Sequence, residues 1–118
     1  DIVLELLTIA RMDDVELIII DMPPGFGDVF LDVDKVMEPE HVLVTTPHSW
    51  VIANTKNRVE AKGWIINMYR GEALNVENVL GYVRWDEDVQ RGIGDVERME
   101  KTKAYADVEK IVRGWDNI

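Results

Sequence analysis

Apolar residues along the chain fall into two patterns. In the first they are consecutive: residues 17–20, 42–46, 64–66 and 79–83 are short runs rich in Val, Ile and Leu, bounded by charged or turn-forming residues. Such runs read as strands buried on both faces, the kind found in a parallel sheet. In the second pattern apolar residues recur every three or four positions, the spacing of one helix face. Val3, Leu6, Leu7 and Ala10 do so within residues 2–11, and Val51, Ile52, Thr55 and Val59 within residues 50–62. A further helix is expected over residues 29–37, and a helical turn over 88–93, broken at Gly92 and Gly94. The last helix starts at Val96 or Thr102, runs to Arg113, and turns Ala104, Val108, Ile111 and Val112 to the core. Ser49 is placed to cap the helix after it, Gly63 and Gly114 to stop helices, and Trp50 to pack partly buried. Helices crossing between strands make those strands parallel. The expected fold is therefore α/β, a parallel sheet flanked by helices.

The stretch over residues 17–28, LIIIDMPPGFGD, carries the chemistry. Asp21 follows the apolar run directly, at the carboxyl end of the expected strand. Open α/β sheets bind ligands outside the carboxyl ends of their strands. A carboxylate there can hold a magnesium-bound water beside a phosphate. Pro23 and Pro24 stiffen the following turn, while Gly25 and Gly27 open backbone angles closed to other residues. A loop with stiff and permissive parts can hold two positions. Asp28 is expected to cap the next helix by accepting its orphan amide hydrogens.

Composition narrows the partners. The chain has 118 residues, enough for one domain, and a net charge of −10. An acidic surface argues against nucleic acid, whose phosphates call for clustered Lys and Arg. No apolar run approaches the roughly 20 residues that span a bilayer, which argues against stable membrane insertion. There is no cysteine, so this stretch has neither disulfides nor thiolate metal ligands. His41 and His48 are too few for a local zinc site.

The ordered set Asp21, Pro23, Pro24, Gly25, Gly27, Asp28, then Thr45, Thr46, Pro47, then Asn67, Met68 resembles the second half of Mrp/ApbC-type ATPases, within the MinD/ParA group of P-loop NTPases. The resemblance covers roughly residues 1–113 and weakens after about residue 70. It implies ATP and Mg²⁺ as cofactors, with Asp21 holding the metal through water and the Pro-Pro-Gly loop acting as the switch that senses the terminal phosphate. It implies a place beside the nucleotide for Pro47, a hydrogen bond from Asn67 to adenine, and a pocket wall formed by the segment of Arg84 and Asp86. Asp28 is a second catalytic candidate, positioning the attacking water. A homodimer, a protein client and a cytoplasmic location are further implications.

Two departures from the family stand out. No G-x-x-x-x-G-K-[ST] loop occurs in the 118 residues, so the chain reads as the C-terminal part of one P-loop NTPase domain. Arg84 also replaces the proline of the family's L-G-x-I-P-x-D segment, and is expected to stack on the base or to lie exposed. Within the family, the Mrp branch carries or loads iron–sulfur clusters, usually through a C-x-x-C pair that is absent from this sequence. The MinD/ParA branch positions division or partition machinery. A third reading, from another class, is a non-catalytic α/β interaction module without a phosphate loop.

Overall fold

The structure is a computed structural model that describes residues 2–9 and 13–115. It divides into two compact units, one up to Pro39 and one from Glu40 onward.

The first unit is helical. Helix α1 spans Ile2–Ile9 and touches helix α2, Asp28–Met37. Ala10, expected on the α1 face, lies outside the described residues. Within α2, Val33 is buried. Residues 17–20 do not form the expected strand: they have no regular secondary structure and are largely exposed, with Ile19 79% accessible. A strand exists only through hydrogen bonds to a neighbour. Among the described residues of this unit there is none to supply them.

The second unit holds a parallel three-stranded sheet in the order β1–β2–β3: Val42–Thr45, Gly63–Tyr69 and Val79–Arg84. Helix α3, Ser49–Lys56, crosses from β1 to β2. Its Ile52 meets Trp64 and Ile66 in the core, with Leu43, Leu74, Val76 and Val79 packed around them. Side chains alternate across a strand, so Ile65 and its register partner Gly81 face the other way. Helix α6, Lys103–Arg113, covers that second face at β3. A Cβ on Gly81 would lie 2.3 Å from a side-chain carbon of Ile111, so only glycine admits the helix this closely.

Several boundaries differ from expectation for local reasons. Helix α3 begins at Ser49, with His48 at the cap position and no side-chain cap. It ends at Lys56, where the Thr55 hydroxyl donates back to the Val51 carbonyl and Asn57, a weak helix former, follows. Gly63 therefore opens a strand instead of stopping a helix. The last helix is divided: α4, Asp88–Arg91, and α5, Val96–Met99, are single turns before α6. Thr102 caps α6, its hydroxyl oxygen accepting the Tyr105 amide hydrogen at 3.1 Å. Ile111 is buried there as expected, whereas Val108 and Val112 are exposed. Trp50 is also exposed, at 70%.

Candidate functional site

In the first unit the candidate residues form one continuous loop. Asp21 is exposed and its carboxylate makes no hydrogen bond or ion pair among the described residues. Pro23 follows outside any helix or strand and Pro24 in a bend, both exposed. Gly25 sits at φ 92°, in the left-handed region, with open space around it. That backbone is the permissive joint expected between two stiff parts. Phe26 anchors the far side through an edge-to-face contact with Phe30, ring centres 5.1 Å apart. Gly27 occupies the cap position of α2, and its carbonyl accepts the Leu31 amide hydrogen. Asp28 is thus not the cap: it is the first helical residue, where its charge complements the positive end of the helix dipole. An uncommitted carboxylate beside a glycine joint suits an oxygen-seeking cation such as Mg²⁺, which binds through one or two carboxylates and keeps its waters.

In the second unit, the carboxyl ends of β2 and β3 frame an open cleft of about 450 Å³, lined by Tyr69, Arg70, Gly71, Arg84, Trp85 and Lys103. The backbone here is irregular. Met68 lies at φ 55°, a strained conformation for a long side chain, and Gly71 at φ 97°. The Trp85 amide donates to the Tyr69 carbonyl at 2.9 Å, tying the two strand ends together. Glu72 turns back to accept the Arg70 amide hydrogen at 2.9 Å, and the Tyr69 hydroxyl donates to the Glu72 carbonyl. This tight return holds the Arg70 guanidinium 4.4 Å from the centre of the Trp85 ring.

Arg84 is differently employed. Its backbone amide and two guanidinium nitrogens donate to Asp107 at 2.9, 2.9 and 3.0 Å. Those hydrogen bonds hold the Asp107 carboxyl below the usual carboxylate range, and the same side-chain hydrogen bonding, followed by the paired charge, raises Arg84 in turn. A guanidinium bound in this way is not free to stack on a base, so Arg84 joins the cleft as a clamp between β3 and α6. Asp86 is also committed: the Asp88 and Lys103 amides donate to it at 3.0 and 2.6 Å, which lowers its carboxyl and caps α6. Neither role was legible from the L-G-x-I-P-x-D pattern, since both depend on α6, more than 16 residues further on in the chain for Lys103 and 23 for Asp107.

Asn67 lies inside β2, two residues short of its end, and its side-chain carbonyl accepts the Met68 amide hydrogen at 2.9 Å. Pro47 follows β1, beside a hydrogen bond of 2.7 Å between the Thr46 hydroxyl and His48 Nδ1. Neither Asn67 nor Pro47 lines the cleft. Tyr69, Arg70, Trp85 and Lys103 do, and sequence reasoning did not select them. The signal was present in Arg70 and Trp85, a cation and an aromatic directly after two strands. Among the described residues no group of three or more His, Cys, Asp or Glu is placed to hold a metal ion. Nor is any described helix long and apolar enough to cross a membrane.

The ParA family, described as NUBPL iron-transfer P-loop NTPase, matches residues 1–111. An iron–sulfur cluster carrier protein of Pseudomonas fragi is 38% identical over 58 residues, which is 48% of this chain and 20% of that protein. The chain thus spans about a fifth of the length of this curated relative. No solved structure matches. Parallel strands flanked by helices, the aspartate–proline–glycine loop and the family match together establish that the chain belongs to the NUBPL iron-transfer P-loop NTPases of the ParA family.

Proposed function

We propose that this chain is the nucleotide-sensing part of an ATP-driven iron–sulfur cluster carrier. The observation that carries the reading is Asp21: exposed, unpaired among the described residues, and followed by a Pro-Pro-Gly loop with Gly25 in the left-handed region. Asp21 would hold Mg²⁺ through water, the metal supplying charge neutralisation at the phosphates. The loop would change position when the terminal phosphate leaves and pass that change to a client. Asp28, exposed in the first turn of α2, would orient water near such a loop. ATP bound between two copies makes a homodimer part of this reading, and a cytoplasmic location goes with it.

The cluster is cargo in this account. Clusters are held by thiolates, and the 118 residues supply none. That same fact favours, as a second reading, a MinD/ParA-like regulator that moves a protein client instead of a cluster.

The test is calorimetry of Mg-ATP on the full-length protein and its Asp21→Ala variant, with turnover measured alongside. The expected result is a loss of magnesium-dependent affinity and of hydrolysis in the variant. Unchanged affinity and turnover would remove Asp21 from the mechanism.

A further inference from the structure

The wall of the cleft at the ends of β2 and β3 runs against the charge of the chain. The protein carries 23 acidic and 13 basic residues, yet the cleft is lined by three cations and no carboxylate. Arg84 is neutralised by Asp107. Arg70 and Lys103 are exposed and form no ion pair among the described residues. The nearest carboxylates are turned to backbone instead. Glu72 accepts the Arg70 amide hydrogen, and Asp86 accepts those of Asp88 and Lys103. The Lys103 ammonium acts on Asp86 only as a neighbouring charge.

The Arg70 guanidinium is held in place all the same. It lies over the Trp85 indole, whose π-cloud attracts the charge but offers no acceptor atom. Its N–H donors therefore have no acceptor among the described residues. Its backbone is fixed by the return to Glu72, so less freedom remains to be lost on binding. A guanidinium in this state is a planar fork that matches a carboxylate through two parallel hydrogen bonds. Trp85, 44% exposed, adds an apolar surface beside it. A doubly charged phosphate fits less well, because Glu72, Asp86 and Asp107 adjoin the wall and a chain of net charge −10 repels polyanions. We propose that this cleft docks an acidic peptide segment of a protein partner. Arg70 grips one carboxylate of the segment, Lys103 adds a second positive charge, and Trp85 receives a neighbouring apolar side chain. The proposal does not depend on the Asp21 reading.

The experiment uses the full-length protein and two fluorescein-labelled peptides, DEFDEF and its neutral counterpart NQFNQF, followed by fluorescence anisotropy. DEFDEF is expected to bind about tenfold more tightly than NQFNQF or better, the size of one charge-assisted contact, and to weaken as salt is raised. Arg70→Gln should weaken DEFDEF by about tenfold and Lys103→Gln by about threefold, as a rim charge does. Arg70→Lys keeps the charge without the fork and should recover only part of the loss. Mg-ATP affinity should be the same in all three variants as in wild type. Equal binding of the two peptides, or a DEFDEF affinity untouched by Arg70→Gln, would overturn the proposal. So would inorganic phosphate that binds more tightly than DEFDEF and depends on Arg70, which would give the cleft to phosphate. A dimer in sedimentation that Arg70→Gln dissolves would give it to a second copy, and a fall in Mg-ATP affinity in Arg70→Gln would give it to nucleotide; either contradicts the proposal. Loss of the Asp21 effect on Mg-ATP, with peptide docking intact, would sink the nucleotide reading alone.

Discussion

Two apolar runs of nearly the same composition meet opposite fates. Residues 17–20 are Leu-Ile-Ile-Ile, with Leu17, Ile18 and Ile19 at 60, 42 and 79% exposure. Residues 64–66 are Trp-Ile-Ile, with Trp64 at 5% and Ile66 at 0%. The second run lies between β1 and β3 and beneath Ile52 of α3. The first has no paired neighbour among the described residues of its unit. Hydrophobicity thus states what a segment gains on burial, while a partner strand decides whether the burial occurs. An exposed run of this kind is also a template for pairing with another chain.

The contrast is sharpest in large-to-small substitutions. Ile66→Ala should cost about 3–4 kcal/mol through lost burial and a cavity. Ile19→Ala should stay within about 0.5 kcal/mol, as surface changes usually do. Chemical denaturation of the two variants checks this, and equal losses would erase the distinction between the runs.

Next in size is the Arg84–Asp107 clamp, in the second unit alone. Asp107 is 15% exposed but Arg84 is half exposed, so solvent screening leaves about 1–2 kcal/mol for Asp107→Asn. Because pairing lowers the folded carboxyl, its contribution is present at neutral pH and lost as pH falls through the acid range below the ordinary value of about 4. The stability gap between wild type and Asp107→Asn should therefore close on acidification, in melts followed from pH 7 to pH 3. A gap independent of pH would assign the effect to packing.

Smaller effects sit at helix ends, again opposed between the units. Thr102→Ala removes the α6 cap and should cost about 1 kcal/mol. Glu38, at the end of α2, lies at φ 46° in the left-handed region, so Glu38→Gly should be neutral or stabilise by a few tenths of a kcal/mol, up to about 1. Thermal melts of both variants give the signs directly.

Continuous runs at β1, β2 and β3 marked the strands because each finds a paired neighbour, β1 with β2 and β2 with β3. The loop from Asp21 to Gly27 was legible for another reason: proline and glycine impose backbone geometry whatever surrounds them. What escaped sequence reading depends on distant partners. Arg84 and Asp86 are committed to α6, and on that helix Asp107, 15% exposed, faces Arg84 of β3 while Val108 and Val112 are exposed. Residues 17–20 carry a strand pattern that becomes a strand only where a neighbour supplies hydrogen bonds.

The central claim is that Asp21 and its Pro-Pro-Gly loop meet magnesium-bound nucleotide. Amide hydrogen exchange on the full-length protein, with and without Mg-ATP, tests it most directly. The account predicts slowed exchange over residues 22–27 when nucleotide is present. Saturating Mg-ATP that binds yet leaves exchange in that segment unchanged would contradict it.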